Sequence, residues 1–360
     1  MLLSVALLCV GFFAGALTKG ETPGPNPIVW QSYHDYDRLT AELTSLKRAH
    51  PGLMQMESIG RSTEGRRIWL VTITKGAGPS SRPRVWFDGA THGSEVIGSE
   101  SMLHYIHFLL DKYRTDATAR KIVDGFITYV VPMVNPDGVE HGKNSDDYRD
   151  ARKNSNLVDL NRNFAFNWTG DCDPKSNCRQ CTNKCWEYPG GEVFSESESR
   201  IIRNQVIKRL PRLYLSGHAG LDKAELIRVE GSPDEGRYLE LQKCVAQMTP
   251  FASSRGKQAG NAKGWVYSTG MQPLRDQGLH PLAFNLEIYT IADLKPGEGN
   301  HYWWCRYNPP VALDDKVARW CRDGTGIAPV DTMGNRMEAV RRTLAYLTLS
   351  TKQPQACPVE

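Results

Sequence analysis

His92 and Glu95 stand three residues apart in Asp88-Gly-Ala-Thr-His92-Gly-Ser-Glu95, where an apolar run stops at glycine and a helical pattern begins. On one turn of helix, positions i and i+3 face the same way. An imidazole and a carboxylate placed together in this way are two of the three protein ligands that an open zinc site needs. A third candidate, His218, lies in Ser216-Gly-His218-Ala-Gly, directly after the apolar run Leu213–Leu215. Set between glycines at a strand end, it reads as an open, unpacked imidazole. Glu287, in Phe284-Asn-Leu-Glu287-Ile, sits inside an apolar strand. A carboxylate there is desolvated, its pKa rises, and it can act as a base near neutral pH. Each signal alone has an ordinary alternative: Glu95 as a helix-start charge, His218 as a turn residue, Glu287 as half of a strand-face ion pair.

Between these residues lies a polar, arginine-bearing run, Arg152-Lys-Asn-Ser-Asn-Leu-Val-Asp159-Leu-Asn161-Arg162-Asn163-Phe164. Guanidinium forks bind carboxylates with two hydrogen bonds. By itself the run reads equally as a solvated loop.

The elements that must hold these groups are legible as alternating periods. Strands are predicted over Arg67–Thr74, Arg84–Asp88, Phe126–Val134, Arg212–Leu215 and Leu282–Tyr289. Several are continuously apolar, which fits central strands covered on both faces. Helices are predicted over Asp35–His50, Glu95–Tyr113, Glu196–Leu210, Glu235–Thr249 and Gly334–Leu349. Ser195-Glu-Ser-Glu198 has the spacing of a capping box. The alternation argues for an α/β fold, a mixed sheet with helices on both faces. Ligands in such folds sit at the carboxyl ends of the strands, where the candidate residues fall.

Composition narrows the class. The 360 residues are 40% hydrophobic and 23% charged, with a formal net charge of +4. That charge is small, and no dense basic block accompanies it, which argues against a nucleic-acid partner. The apolar run from Leu2 to Leu17, with the small residues Ala14-Gly15-Ala16 for cleavage, reads as a signal peptide over residues 1–20. No later stretch is apolar enough to span a membrane. The expected mature protein is secreted and monomeric, with a catalytic domain over 21–350 and a short tail over 351–360.

Eight cysteines follow that leader: Cys172, Cys178, Cys181, Cys185, Cys244, Cys305, Cys321 and Cys357. An even number in a secreted chain points to disulfides, with four stapling one surface loop. A metal knuckle over Cys178, Cys181 and Cys185 is the alternative. Asn167-Trp168-Thr169 is a glycosylation sequon.

Taken together, His92-x-x-Glu95, the Asp159-Leu-Asn161-Arg162-Asn163-Phe164 run, the later His218 and the far Glu287 resemble the zinc carboxypeptidases in order and rough spacing. The resemblance covers about residues 30 to 350. It extends to Ile59-Gly-Arg-Ser-Thr-Glu-Gly-Arg66, Asn135-Pro-Asp-Gly138, Tyr188-Pro-Gly190 and Ser195-Glu-Ser-Glu198. It implies a largely parallel α/β/α sandwich and one Zn2+ per chain, bound by His92, Glu95 and His218. It implies that Asn161 and Arg162 hold a peptide's C-terminal carboxylate. Arg152 matches the arginine that polarises the scissile carbonyl, and Glu287 matches the general base.

The match departs in one loop. Family members usually carry a mobile tyrosine about twenty residues before the base. Here Trp265 stands at that position and Tyr267 two later, so Tyr267 is the candidate for its role. Gly270-Met-Gln272 is similar to the regulatory carboxypeptidase branch, which makes Gln272 a candidate lining residue of the specificity pocket. No long activation segment and no added β-sandwich domain are expected. Two other readings stay open: a catalytically silent relative that binds peptide C-termini, and a zinc amidohydrolase of acyl-amino acids. The absence of a Gly-x-Ser-x-Gly elbow argues against a serine hydrolase.

Overall fold

The computed structural model describes residues 34–76, 81–144, 151–172, 180–220, 224–256, 259–288, 330–352 and 357. The expected leader over 1–20, Cys178, Cys305, Cys321 and the end of the predicted strand at Tyr289 lie outside the described residues.

Eight strands form one mixed sheet: β1 (Met54–Arg61), β2 (Arg67–Ile73), β3 (Arg84–Gly89), β4 (Ile127–Val131), β5 (Leu213–His218), β6 (Glu225–Val229), β7 (Ala252–Gly256) and β8 (Leu282–Glu287). Their order is β1-β2-β4-β3-β5-β8-β6-β7. The centre, β4-β3-β5-β8, is parallel throughout, and β6 and β7 are also parallel to each other. The antiparallel pairings β1–β2, β2–β4 and β6–β8 lie outside that centre. The five predicted strands are all present. β1, β6 and β7 were not foreseen, because their residues alternate less clearly: β7 is Ala-Ser-Ser-Arg-Gly, with exposed and half-buried positions in turn.

The predicted helices are also present, as α1 (Tyr36–Ala49), α2 (Val96–Asp111), α5 (Ser197–Arg209), α6 (Glu235–Met248) and α9 (Val330–Ser350). Shorter helices, α3 (Ala117–Gly125), α4 (Pro136–Asn144), α7 (Ala262–Trp265) and α8 (Gln272–Arg275), join them. Both faces of the sheet are covered. On one face Phe87 meets Tyr105 of α2 edge-on at 5.4 Å, and Phe284 meets Tyr238 of α6 at 4.9 Å. On the other, Trp86 packs near Tyr129, whose ring lies under the Arg209 guanidinium of α5. Among the described residues, no helix is long and apolar enough to cross a membrane.

Two motifs from the sequence prove to be fasteners. Asp137 accepts from Ser62 Oγ at 2.7 Å, Glu64 N at 2.8 Å and Arg66 Nη1 at 2.7 Å, tying the β1–β2 turn to α4. Asn163 donates to Pro189 O and Glu192 O and accepts from Glu196 N and Ser199 Oγ. The capping box does not form: Glu196 is the N-cap of α5, with no side-chain cap bond. Ser195 Oγ instead accepts from Asn163 Nδ2 at 2.9 Å, and Glu198 accepts from Thr63 N at 3.0 Å.

The start of α2 lies directly on the ends of β3 and β5. A Cβ on Gly98 would sit 2.5 Å from Gly217 O, and one on Gly89 would sit 2.5 Å from Gly98 C. Backbone cannot yield at such distances, so helix and strands would have to part. Gly98→Ala is therefore expected to lower unfolding stability by about 1–3 kcal/mol. Denaturant unfolding checks this, and an unchanged midpoint would contradict the packing described.

Candidate active site

Parallel register builds the site. His218 ends β5 directly beside Glu287, the last residue of β8. β3 adjoins β5 on its other side, with Gly89 opposite Gly217. Beyond Gly89 the chain turns through Ala90, whose φ of 49° is unusual for a residue with a side chain. Asn135 N holds that turn through Ala90 O at 3.0 Å. The turn delivers His92 and Glu95 to the same end of the sheet, where Glu95 immediately precedes α2.

One nitrogen from each of His92 and His218 and one oxygen of Glu95 come within 4.8 Å of one another. All three residues are buried. The sequence reading of His218 as open and unpacked is thus corrected: it is 2% exposed, because α2 closes over the ends of β3 and β5. His218 Nδ1 lies 2.9 Å from Glu95 Oε2. His92 Nε2 lies 3.0 Å from Asp159 Oδ1. The other nitrogens, His92 Nδ1 and His218 Nε2, are buried without a hydrogen-bond partner. His92 Nδ1 is 2.8 Å from Glu95 Oε1, but without hydrogen-bond alignment.

Charge is dense here. Burial pushes the Glu95 carboxyl up, but the His92 and His218 imidazoles outweigh it and leave it well below its usual range. Asp159 is likewise pushed up by burial and held far down by Arg152 and His92. Arg152 donates from Nε to Asp159 Oδ2 at 3.0 Å and from Nη1 to Glu95 Oε1 at 3.2 Å. Glu287 is different. Its carboxylate has no hydrogen bond among the described residues, and burial raises its pKa to about 7.

Arg162 and Asn161 follow on a short 3-10 turn, Leu160–Arg162, capped by Asp159. Arg162 Nη1 donates to Asn161 O at 2.9 Å, and Nη2 is hydrogen-bonded to Glu187. The Arg152 guanidinium stacks over Trp186 at 5.4 Å. Three contributors thus lay beyond the sequence reading: Asp159 as partner of His92, and Trp186 and Glu187 against the arginines. Only Asp159 left a trace, as an acid beside the Asn-Arg pair. Trp186 and Glu187 are placed by the cysteine-rich loop, where Cys172 pairs with Cys181 and Cys185 is also disulfide-bonded. Those bonds favour the staple reading over the metal knuckle. Cys244 pairs with Cys357. Asn167, of the sequon, is exposed.

Tyr267 and Gln272 are not brought to this cluster. The Tyr267 hydroxyl accepts from Ser232 Oγ at 2.6 Å and donates to Asp234 Oδ2 at 2.9 Å. The other Asp234 oxygen lies 2.7 Å from His280 Nδ1. His280 precedes β8, so it is roughly 20 Å along the chain from Glu287 at about 3.3 Å per strand residue. Gln272 is exposed at the start of α8 and donates to Asp276 Oδ1 at 2.6 Å. Trp265 is buried between Phe164 and Phe194, with ring centroids at 6.0 and 5.3 Å.

The sequence profile of a family described as zinc carboxypeptidase matches residues 39–271. The chain belongs to that zinc carboxypeptidase family. It is 32% identical to the carboxypeptidase B of Astacus astacus over 199 residues, 53% of this chain and 62% of that protein. The chain thus spans under two thirds of the length of this relative, and 44% of the carboxypeptidase A6 of Mus musculus. The fold is similar to the crystal structure of thrombin activatable fibrinolysis inhibitor, with a TM-score of 0.66 at 18% identity, covering 91% of this chain and 78% of that one. It is also similar to the carboxypeptidase A of Helicoverpa armigera, with a TM-score of 0.61 at 19% identity, covering 90% of this chain and 76% of that one.

The family implies zinc, and the residues present fit it. The Nδ1 atoms of His92 and His218 both lie against the Glu95 carboxylate, at 2.8 and 2.9 Å, and that carboxylate is held in its charged form, which is the donor chemistry of an open zinc site. Asp159 on the far nitrogen of His92 is the outer partner that orients a ligating imidazole and raises its basicity. Asp159→Asn is expected to weaken zinc binding roughly 10- to 100-fold. Competition with a fluorescent chelator measures this, and an unchanged Kd would remove Asp159 from that role.

Proposed function

We propose that this chain is a zinc-dependent metallocarboxypeptidase that hydrolyses the last peptide bond of peptides and proteins bearing a free C-terminus. The observation that carries the reading is the convergence of His92, Glu95 and His218 beside Glu287, a buried carboxylate with no hydrogen bond among the described residues. One zinc per chain is held by the two imidazoles and Glu95. When bound, that ion supplies Lewis-acid polarisation and makes water acidic near neutral pH, with a pKa of roughly 7.

The chain's own residues divide the remaining work. Arg162 and Asn161 bind the substrate's C-terminal carboxylate, Arg162 through its fork. To do so the carboxylate takes over the guanidinium face that Glu187 now holds. Arg152, steadied by Asp159 and Trp186, directs an N–H at the scissile carbonyl oxygen and stabilises the negative charge that develops there. Glu287 accepts a proton from the attacking water as its oxygen bonds to the carbonyl carbon. It then passes that proton to the nitrogen of the leaving amino acid as the C–N bond breaks. The raised affinity of Glu287 for protons suits it to both steps, since a group with an ordinary carboxylate pKa would deliver its proton poorly. Binding the carboxylate at a fixed distance from the zinc ligands limits cleavage to the terminal residue.

The apolar run from Leu2 to Leu17 and the disulfides support secretion, with residues 1–20 removed and a monomeric catalytic unit over 21–350.

Two substitutions separate the roles. Glu287→Gln should keep zinc bound and lower kcat by about 100- to 10,000-fold. Steady-state kinetics with parallel metal analysis decides this, and near-normal turnover would make the base assignment wrong. Arg162→Ala should instead raise KM for free-acid peptides about tenfold or more, as loss of a charged hydrogen bond predicts. Equal hydrolysis of C-terminally amidated and free-acid peptides by the wild type would contradict the clamp.

A further inference from the structure

Lys263 takes no part in the roles above, yet it is 1% exposed. Its Nζ donates to the backbone carbonyl of Arg228 at 3.3 Å. Among the described residues no carboxylate forms an ion pair with it. Burial lowers its pKa to about 7, against the pull of Glu287. A lysine this deep is ordinarily paired.

Its location follows from the strands beneath it. A Cβ on Gly256, at the end of β7, would lie 3.0 Å from Ile227 Cγ2 and 3.1 Å from Lys263 Nζ. Ile227 stands opposite Asn285 on β8. Residues directly opposite share a face of the sheet, as do residues two apart on one strand. Ile227, Asn285 and Glu287 therefore face the same way, and Lys263 Nζ lies over that face. The residue before it is fastened to the clamp: Ala262 N donates to Asn161 Oδ1 at 3.0 Å.

A second observation concerns Asn285. Its side chain is 3% exposed, and Oδ1 has no hydrogen-bond partner. Buried polar groups are nearly always satisfied, and an exception calls for an explanation such as a missing ligand. A poorly paired ammonium and an unsatisfied amide share the face that ends in Glu287, next to Asn161. The amide can turn by 180° to present either its oxygen or its NH2 group. Together the two side chains offer a positive charge and a hydrogen-bond donor.

Building on the carboxypeptidase reading, we propose that Lys263 determines the side-chain preference and, with Asn285, receives the carboxylate of a C-terminal glutamate or aspartate. A carboxylate there gives the buried ammonium its missing counter-charge, whereas an apolar side chain leaves both polar groups unpaired. A basic side chain adds like-charge repulsion.

The test is kcat/KM for the zinc-loaded protein on one peptide series ending in Glu, Gln, Leu or Lys. The wild type should favour Glu, with Lys the poorest. In Lys263→Met the Glu-to-Leu ratio should fall about 100-fold, the scale expected for truncating one member of a buried charge pair. Lys263→Arg should retain the preference for Glu. A wild type that releases Leu or Lys ahead of Glu overturns the role of Lys263 and needs no variant to do so. An unchanged Glu-to-Leu ratio in Lys263→Met, with all rates falling together, also overturns it and leaves Lys263 as a counter-charge to Glu287. No release from any of the four peptides overturns the carboxypeptidase reading itself, and this inference with it.

Discussion

Burying several charges in one place is costly unless each charge has a partner, and the carboxyl end of this sheet buries many. Glu95, Asp159 and Glu287 lie within reach of two imidazoles and the Arg152 guanidinium, all screened from water. Arg152 and the histidines compensate Glu95 and Asp159, whose protons are accordingly hard to retain. Glu287 is left outside that bargain and holds its proton far more readily. Two carboxylates with oppositely shifted proton affinities thus coexist in one cluster, and the proposed roles of ligand and base follow from that separation. The same low-dielectric setting would strengthen any cation bound between His92, Glu95 and His218.

The fold serves this cluster by keeping backbone close to backbone. The β3, β5 and β8 strands run in parallel register, which sets His218 against Glu287 without any loop to tune their spacing. Glycine at 89, 98 and 217 lets α2 sit on those strands, and Glu95 rides on the entrance to that helix. Further out, Asn135 donates to Lys153 O and Asn163 gathers loop donors and acceptors, so that the run carrying Arg152, Asn161 and Arg162 is braced from both ends. Side chains meant to be held to a fraction of an ångström are supported by packed neighbours of this kind.

Much of this could be read from residue types and spacing. The continuous apolar runs of β3, β4 and β5 announced buried central strands, and the five long helices carried clear three-to-four periodicity. His92, Glu95, His218 and Glu287 stood out because polar residues at the ends of apolar strands are otherwise rare. What escaped was set by contacts distant in sequence. β1 and β7 have mixed, partly exposed residues, and β6 is buried but carries Glu225 and Arg228 among its apolar residues; all three become strands by pairing with neighbours. The apparent capping box at Ser195 does not form, because its hydroxyl accepts from Asn163 Nδ2, 32 residues earlier, and donates to Glu196. His218 looked open because its glycine neighbours hide the helix that covers it. The similarity around Gly270-Met-Gln272 pointed Gln272 and Tyr267 at the site, but the Ser232 and Asp234 hydrogen bonds hold Tyr267 elsewhere. Lys263 could not be singled out in sequence, since nothing local marks a lysine as buried.

The most direct measurement is X-ray absorption at the zinc edge on the purified protein, with metal content determined on the same sample. The account predicts one zinc per chain, with nitrogen and oxygen neighbours at about 2.0–2.2 Å and an imidazole scattering pattern from two histidines. A sulfur shell near 2.3 Å, which is the signature of cysteine ligation, would contradict it. So would a protein that holds no zinc after equilibrium dialysis against a micromolar supply of the ion.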